Sequence, residues 1–288
     1  MRFTRRALIA GLGVASAMSS LRAKRAYGPM RRRMLGQNDR AIEVWVWPAL
    51  GTRKGRIHFS HGNFSAPIKY ARLLEAWAAD GWEIFAPLHV DSTDHPDTKS
   101  YTPPQSWSTR LEDMALLSAE AGKQSYVAAG HSYGGLIALV LGGAKPLLPG
   151  AAKDAKVTAV VALSPPGAMP GLIDAKGFAT LSVPALIQTG NKDVFPGQPA
   201  DAWRAHLKAF EAPRAKGKLL ALTLEGVDHY FGGIICRPEL PGPKQEAGFA
   251  KLQSVSGLFL DGNGLRIASA RAALAKTAKS RGSDLQRR

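Results

Sequence analysis

An α/β protein built on a doubly wound, mostly parallel sheet is what this 288-residue sequence predicts, and three observations predict it. Strand-like apolar runs alternate with helix-period segments over residues 56–260, the pattern of a parallel sheet wrapped in helices. One run, 157–163, is apolar almost throughout, as a strand covered on both faces is. A third stretch, Tyr126 onward, passes from an apolar run to a helix-like run through Gly130-His131-Ser132-Tyr133-Gly134, which reads as a tight strand-to-helix turn.

Taken in order, residues 7–18 form a moderately apolar run behind a basic start. About a dozen residues is shorter than the roughly 20 that a membrane-spanning helix takes, and the run fits the apolar region of a signal peptide. Thr4-Arg5-Arg6 ahead of Ala7-Leu8-Ile9 resembles a twin-arginine export signal. Residues 1–26 are therefore expected to direct the chain to the periplasm or outside the cell; without such a signal it would stay cytoplasmic. Residues 27–40, with Arg31-Arg32-Arg33, read as a basic linker, 41–262 as the folded domain, and 263–288 as a basic C-terminal helix or tail.

Residues 41–47 set Ile42, Val44 and Val46 against Glu43, Trp45 and Trp47, the period of a strand, expected at an antiparallel edge. A second strand over 56–60 runs into His61-Gly62-Asn63-Phe64. Helical spacing over 69–80 puts Leu73, Leu74 and Trp77 on one face, and Gly81 suits the left-handed residue that closes a helix. A strand over 82–87 leads to a polar loop over 88–107, a helix over 109–121, the turn at Ser132 and a helix from Gly134. Strands follow over 157–163, 184–189 and 218–224, with helices over 201–211 and 244–260. The tail 265–288 is rich in Ala, Lys and Arg at helical spacing, and is expected to be a solvated helix rather than an arm lying on an anionic membrane.

The formal charge of +16 is concentrated at the two ends: residues 1–40 carry ten Arg or Lys against one Asp, and 266–288 carry seven against one. The middle is nearly neutral and has no basic stripe interleaved with aromatics, so no nucleic-acid partner is expected. A single cysteine, Cys236, excludes an intramolecular disulfide and any multi-cysteine metal site.

In a doubly wound sheet ligands bind beyond the carboxyl ends of the strands. Four such ends carry reactive or anion-binding residues: His61-Gly62-Asn63, Ser132, Asp193 and His229. The turn at Ser132 is tight enough to hold a hydroxyl clear of the backbone, with free N–H groups of the next helix beside it. Asp174 and Asp228 stand as alternatives to Asp193, which is preferred because it alone follows a strand at the right place. His229 also has rivals. His131 abuts the serine, but neighbours along a turn point apart, so it is expected to pack or line the pocket. His58 lies inside a strand and is expected to be a satisfied core residue, and His61 to brace its loop by hydrogen bonds. His89, His95, Asp91, Asp94 and Asp97 share a loop without metal-ligand spacing, which reads as a solvated loop.

The segment from Ser60 to about residue 274 resembles α/β-hydrolases of the dienelactone hydrolase and platelet-activating-factor acetylhydrolase-like group. The matching pieces are Ser60-His61-Gly62, Asp80-Gly81-Trp82 before Phe85-Ala86-Pro87, Gly130-His131-Ser132-Tyr133-Gly134-Gly135, Thr189-Gly190-Asn191-Lys192-Asp193 and Asp228-His229-Tyr230-Phe231-Gly232. The resemblance implies an α/β-hydrolase fold, and no insertion is long enough for a large lid domain. It implies a serine esterase without metal or organic cofactor, cleaving small to medium carboxylic esters through an acyl-enzyme. Ser132 would be the nucleophile, His229 the general base and then acid, and Asp193 the carboxylate that orients His229. Backbone N–H groups of Asn63 and Tyr133 would form the oxyanion hole. In the dienelactone hydrolases proper the nucleophile is a cysteine, so Ser132 departs from them and shifts the expectation toward carboxylic esters. Phe64, Tyr133 and Trp107 are expected to wall the acyl pocket, bordered by the loops 88–107 and 165–178. A thioesterase, lipase or polyester hydrolase would use the same triad, and a non-catalytic binding protein would keep the fold. The expected partner is a small-molecule ester, and the chain is expected to be monomeric or weakly oligomeric.

Overall fold

The computed structural model describes residues 28–148, 153–213, 218–277 and 282–288; the export signal expected at residues 1–26 lies outside them. Nine strands form one sheet: β1 (Met30–Leu35), β2 (Ala41–Trp47), β3 (Gly55–Ser60), β4 (Trp82–Pro87), β5 (Tyr126–His131), β6 (Val157–Leu163), β7 (Ala185–Gly190), β8 (Leu219–Leu224) and β9 (Ser283–Arg287). Their order is β1-β2-β4-β3-β5-β6-β7-β8-β9. From β4 to β8 every pairing is parallel. β2 and β1 extend one edge antiparallel, and β9 closes the other edge antiparallel to β8.

The parallel strands are apolar on both faces because successive side chains point to opposite sides. Val127 and Ala129 of β5 join Leu73, Trp77, Phe249 and Phe259 in one core. Ala128 of the same strand joins Leu136, Val140 and Phe178 in the other. Helices α1 (Ala71–Ala79) and α6 (Glu246–Phe259) thus cover one face. Helices α2 (Pro103–Glu120) and α3 (Tyr133–Leu141), with the single turns α4 (Ala175–Phe178) and α5 (Lys208–Glu211), cover the other. A last helix, α7 (Ala268–Lys276), follows a π-helical turn at Leu260–Gly264. The sheet is therefore doubly wound and mostly parallel, with no large lid among the described residues. Chain order reverses between β3 and β5, so the loops leaving their carboxyl ends part there and open a crevice.

Four elements differ from the sequence expectation. Residues 30–35, assigned to a basic linker, form the outermost strand. Arg32 lies 4.9 Å over the Phe85 ring and pairs with Glu120, while Arg31 lies 5.2 Å over Trp45. Charge on an edge strand also blocks pairing with another chain. The helix expected over 109–121 begins at Pro103, because Thr102 and Gln105 form a capping box and Pro103 and Pro104 occupy positions whose missing N–H costs nothing. The tail is not a solvated helix throughout: α7 docks through Leu274, and β9 returns to the sheet through Leu285. Residues 201–211 are mainly a 3-10 segment, Ala202–Leu207, before α5. Among the described residues no helix is long and apolar enough to cross a membrane.

Candidate active site

Ser132 sits between β5 and α3 with φ 53° and ψ −123°, a left-handed backbone that costs a non-glycine residue about 1–3 kcal/mol. The glycines around it are there for space. A Cβ on Gly134 would stand 1.9 Å from the Ser60 carbonyl oxygen, and one on Gly130 would stand 2.2 Å from that of Gly134. The turn can therefore press directly against the end of β3. The Ser132 N–H is tied to Leu163 O at 2.8 Å, while its side chain is half-buried and makes no hydrogen bond to another described residue. Leu136 N–H donates to Ser132 O, starting the helix.

Asp193 and His229 come together at the ends of β7 and β8. His229 Nδ1 donates to Asp193 Oδ1 at 2.7 Å, which leaves Nε2 as the free lone pair. Thr189 Oγ1 donates to Asp193 Oδ2 at 2.9 Å. A second imidazole shares this carboxylate: His206 Nε2 stands 3.1 Å from Asp193 Oδ1. Burial pushes the Asp193 carboxyl up, but His206 and His229 together outweigh it and hold the group well below the ordinary carboxylate range. The alternative acids lie elsewhere. Asp174 caps α4 by accepting from Gly177 N–H. Asp228 accepts from the N–H groups of Tyr230 and Gly232, and so shapes the turn that carries His229.

His131 braces the site. Its Nε2 donates to His229 O at 2.9 Å and its Nδ1 accepts from Tyr70 Oη at 2.9 Å, while Gly62 N–H donates to the same tyrosine oxygen at 2.9 Å. Burial, with His229 beside it, keeps His131 well below its ordinary value and therefore neutral. His61 also braces its loop, donating from Nδ1 to Gly62 O and accepting His89 N–H at Nε2.

The sequence reading missed Arg110, which is fully buried. Its guanidinium holds Asp91 with two bonds of 2.9 and 2.8 Å, and donates to Ser60 Oγ, His61 O and Gly62 O. Behind it a closed relay runs from Asp113 to His89 Nδ1 (2.7 Å) and from His89 Nε2 to Ser60 Oγ (2.9 Å), with Arg40 on the other oxygen of Asp113. Burial pushes Asp113 up to about 7 against the pull of Arg40. The signal was present in sequence: Trp107, Arg110, Met114 and Leu117 share one face of α2, so a charge interrupts an apolar stripe. His89 and Asp91 are therefore buried parts of this scaffold, not members of a solvated loop.

His58 corrects another expectation. It is a core residue but not a satisfied one: neither ring nitrogen has a hydrogen-bond partner. The ring is held instead by stacking 3.9 Å from Tyr126, and burial lowers its pKa to about 3, so it packs as a neutral aromatic.

A cavity of about 570 Å³ opens over Ser132, walled by Phe64, Trp107, Tyr133, Met169 and Leu172, with Asn63 at its edge. Phe64 has φ 57° and is 51% exposed, so it stands at the rim, whereas Trp107 is buried in the wall. The backbone N–H groups of Asn63 and Tyr133 donate to no other described residue. A larger groove of about 1180 Å³ crosses the basic face of β1 and β2, and contains neither Ser132 nor His229. Among the described residues, Asp193, His206 and His229 are the one group whose ligand atoms lie close enough for a metal. Asp193 is already bonded to His229 and Thr189, and no metal is assigned.

A model described as "Alpha/beta hydrolase family" matches residues 57–236. No curated protein matches the sequence. Among solved structures, esterase 2 of Thermogutta terrifontis superposes with TM-score 0.58 at 14% identity, over 81% of this chain and 94% of that one. A putative dienelactone hydrolase from Klebsiella pneumoniae gives 0.55 at 15% identity, over 79% and 97%. A puromycin-hydrolyzing peptidase from Mycobacterium tuberculosis gives 0.56 at 13% identity, over 82% of this chain but 39% of that chain. At these identities the likeness is one of fold.

Proposed function

The chain belongs to the alpha/beta hydrolase family, and from that premise we propose that it is a serine esterase acting on small to medium carboxylic esters. The observation that carries the reading is Ser132, held at φ 53° in the lining of an apolar cavity, with the bonded Asp193–His229 pair joined to its chain neighbour His131 through His229 O. In this reading Ser132 Oγ attacks the ester carbonyl carbon while its proton passes to His229 Nε2. Asp193 accepts the hydrogen bond of the Nδ1–H, which stays on His229, and stabilises the imidazolium. The carbonyl oxygen, now an oxyanion, is met by the N–H groups of Asn63 and Tyr133, and losing one such donor costs about 2.7–4 kcal/mol. The C–O bond to the alcohol breaks, and the leaving oxygen takes the proton from His229. Water, deprotonated by His229, then cleaves the acyl-Ser132 ester and releases the acid. Hydrogen bonds of this kind are often long before substrate arrives, which accords with the unbonded Ser132 hydroxyl. Phe64, Trp107 and Tyr133 are proposed to contact the acyl group.

The test is a stopped assay with p-nitrophenyl butyrate, together with labelling by a fluorophosphonate. A burst of p-nitrophenol and one label per chain on Ser132 are expected; a wild-type protein that takes no label would overturn the reading. A series of esters of rising chain length, run against matching thioesters, separates this esterase from a thioesterase, lipase or polyester hydrolase. The fluorophosphonate alone separates all of these from a binding protein.

A further inference from the structure

We propose that His206 is a positioning residue held as an imidazolium against Asp193, and that its charge sets the acid limb of the activity profile. The inference rests on the esterase reading for its kinetic part only. His206 Nδ1 lies 2.8 Å from Pro165 O. A carbonyl oxygen only accepts, so that nitrogen carries a proton. A neutral ring would then set the lone pair of Nε2 3.1 Å from the negative Asp193 Oδ1. Two acceptors on the two ring nitrogens are satisfied together only when both are protonated. At 3.1 Å no water fits between Nε2 and Oδ1, so none stands in for the missing proton. In agreement, burial acts to lower the His206 pKa, but Asp193 and the Pro165 carbonyl overcome it and raise the group.

The groups facing this ring are few. Asp193 comes from the loop after β7 and His229 from the loop after β8, ring centroids 5.7 Å apart; His131 lies beyond, against His229. On the same segment Arg204 and Lys208 are exposed. Asp193 is thus the nearest opposite charge, and His206 and His229 share its Oδ1. This has two consequences. Asp193 accepts from Thr189 and His229 and lies against the His206 ring, so its oxygen is fixed where His229 Nδ1 needs it. The second cation also offsets part of the negative charge that the carboxylate presents to the rest of the site, so its removal changes the field in which the acid limb is set.

The full chain, its His206→Gln variant and its His206→Ala variant provide the test. Gln keeps a neutral N–H donor toward Asp193 without the charge. In the wild type, both ring nitrogens of His206 should show protonated 15N shifts at pH 7; a neutral tautomer there overturns the proposal, whatever the chain hydrolyses. In His206→Gln the acid limb of kcat/KM should move up by roughly one pH unit, as loss of one charge at this distance in a partly screened site implies, with the plateau within about tenfold. In His206→Ala the limb should move likewise and the plateau fall further. A limb that stays in place in both variants, with fluorophosphonate labelling retained, overturns the proposal even if stability falls. If no variant folds, the nitrogen shifts of the wild type decide. Absence of labelling in the wild type removes the esterase reading and leaves the imidazolium to be judged by its spectrum.

Discussion

Two regions of this molecule carry a carboxylate bonded to a histidine beside a serine, and they differ in everything except that order. Asp113, His89 and Ser60 form a fully hydrogen-bonded chain, and all three are 0 or 1% exposed. Asp193 and His229 are bonded as closely, but Ser132 is hydrogen-bonded to neither and lines a cavity, half-buried. Ser60 is an ordinary strand residue whose oxygen also accepts from Arg110. Ser132 occupies a strained turn ahead of a helix, where free N–H groups gather. The comparison teaches that a hydrogen-bonded relay is a structural commonplace. Reactivity requires a route for an electrophile and donors waiting for the charge that develops.

The largest expected effect separates the two serines. Ser132→Ala should lower kcat/KM by about 10⁴–10⁶-fold, as loss of a triad nucleophile does, and abolish fluorophosphonate labelling. Ser60→Ala should retain labelling and most activity but lower stability by about 1–3 kcal/mol, because Arg110 and His89 each lose a buried partner. Urea unfolding and labelling stoichiometry, measured on both variants, check the pair. Activity lost equally in both would break the comparison.

Next comes the residue that joins the sealed relay to the open site. Arg110 binds Asp91 and Ser60 on one side and the carbonyls of His61 and Gly62 on the other. Arg110→Met should cost about 3–5 kcal/mol, since it strands the buried Asp91 carboxylate. Adding Asp91→Leu removes that stranded charge and should recover much of the stability. Activity should stay low in the double variant, because the loop bearing Asn63 has lost its clamp. Recovery of both together would show that Arg110 matters only for folding.

This contrast also marks what sequence could disclose. The turn at Ser132 was legible because its close backbone contacts require small residues at fixed spacing, and the parallel strands because burial on both faces leaves unbroken apolar runs. Asp193 and His229 were found as strand-end residues, and the structure brings them together. What stayed hidden depends on partners far along the chain. β1 was masked by three arginines, of which Arg31 and Arg32 find aromatic and acidic partners on β2, β4 and α2. The start of α2 was masked by Pro103-Pro104, which read as loop until the capping box is seen. His206 gave no local sign, because its significance comes from Pro165 and Asp193, elements apart in sequence.

The smallest expected effect concerns a hydrogen-bonded path between the loop bearing Asn63 and the loop bearing His229. Tyr70 Oη accepts from Gly62 N–H and donates to His131 Nδ1, and His131 Nε2 donates in turn to His229 O. Tyr70→Phe keeps the ring, which is buried against Phe59, and removes one oxygen. It leaves a buried N–H and a buried imidazole nitrogen without partners, so stability should fall by about 1–3 kcal/mol. If the chain of bonds merely fills space, kcat should be untouched once folding is allowed for. If it sets the distance between the Asn63 N–H and His229, kcat should fall severalfold with KM nearly constant, since that distance matters only as charge develops on the substrate oxygen. A change in KM alone would place Tyr70 in the cavity wall instead, and would separate the bracing of the loop from the chemistry at Ser132.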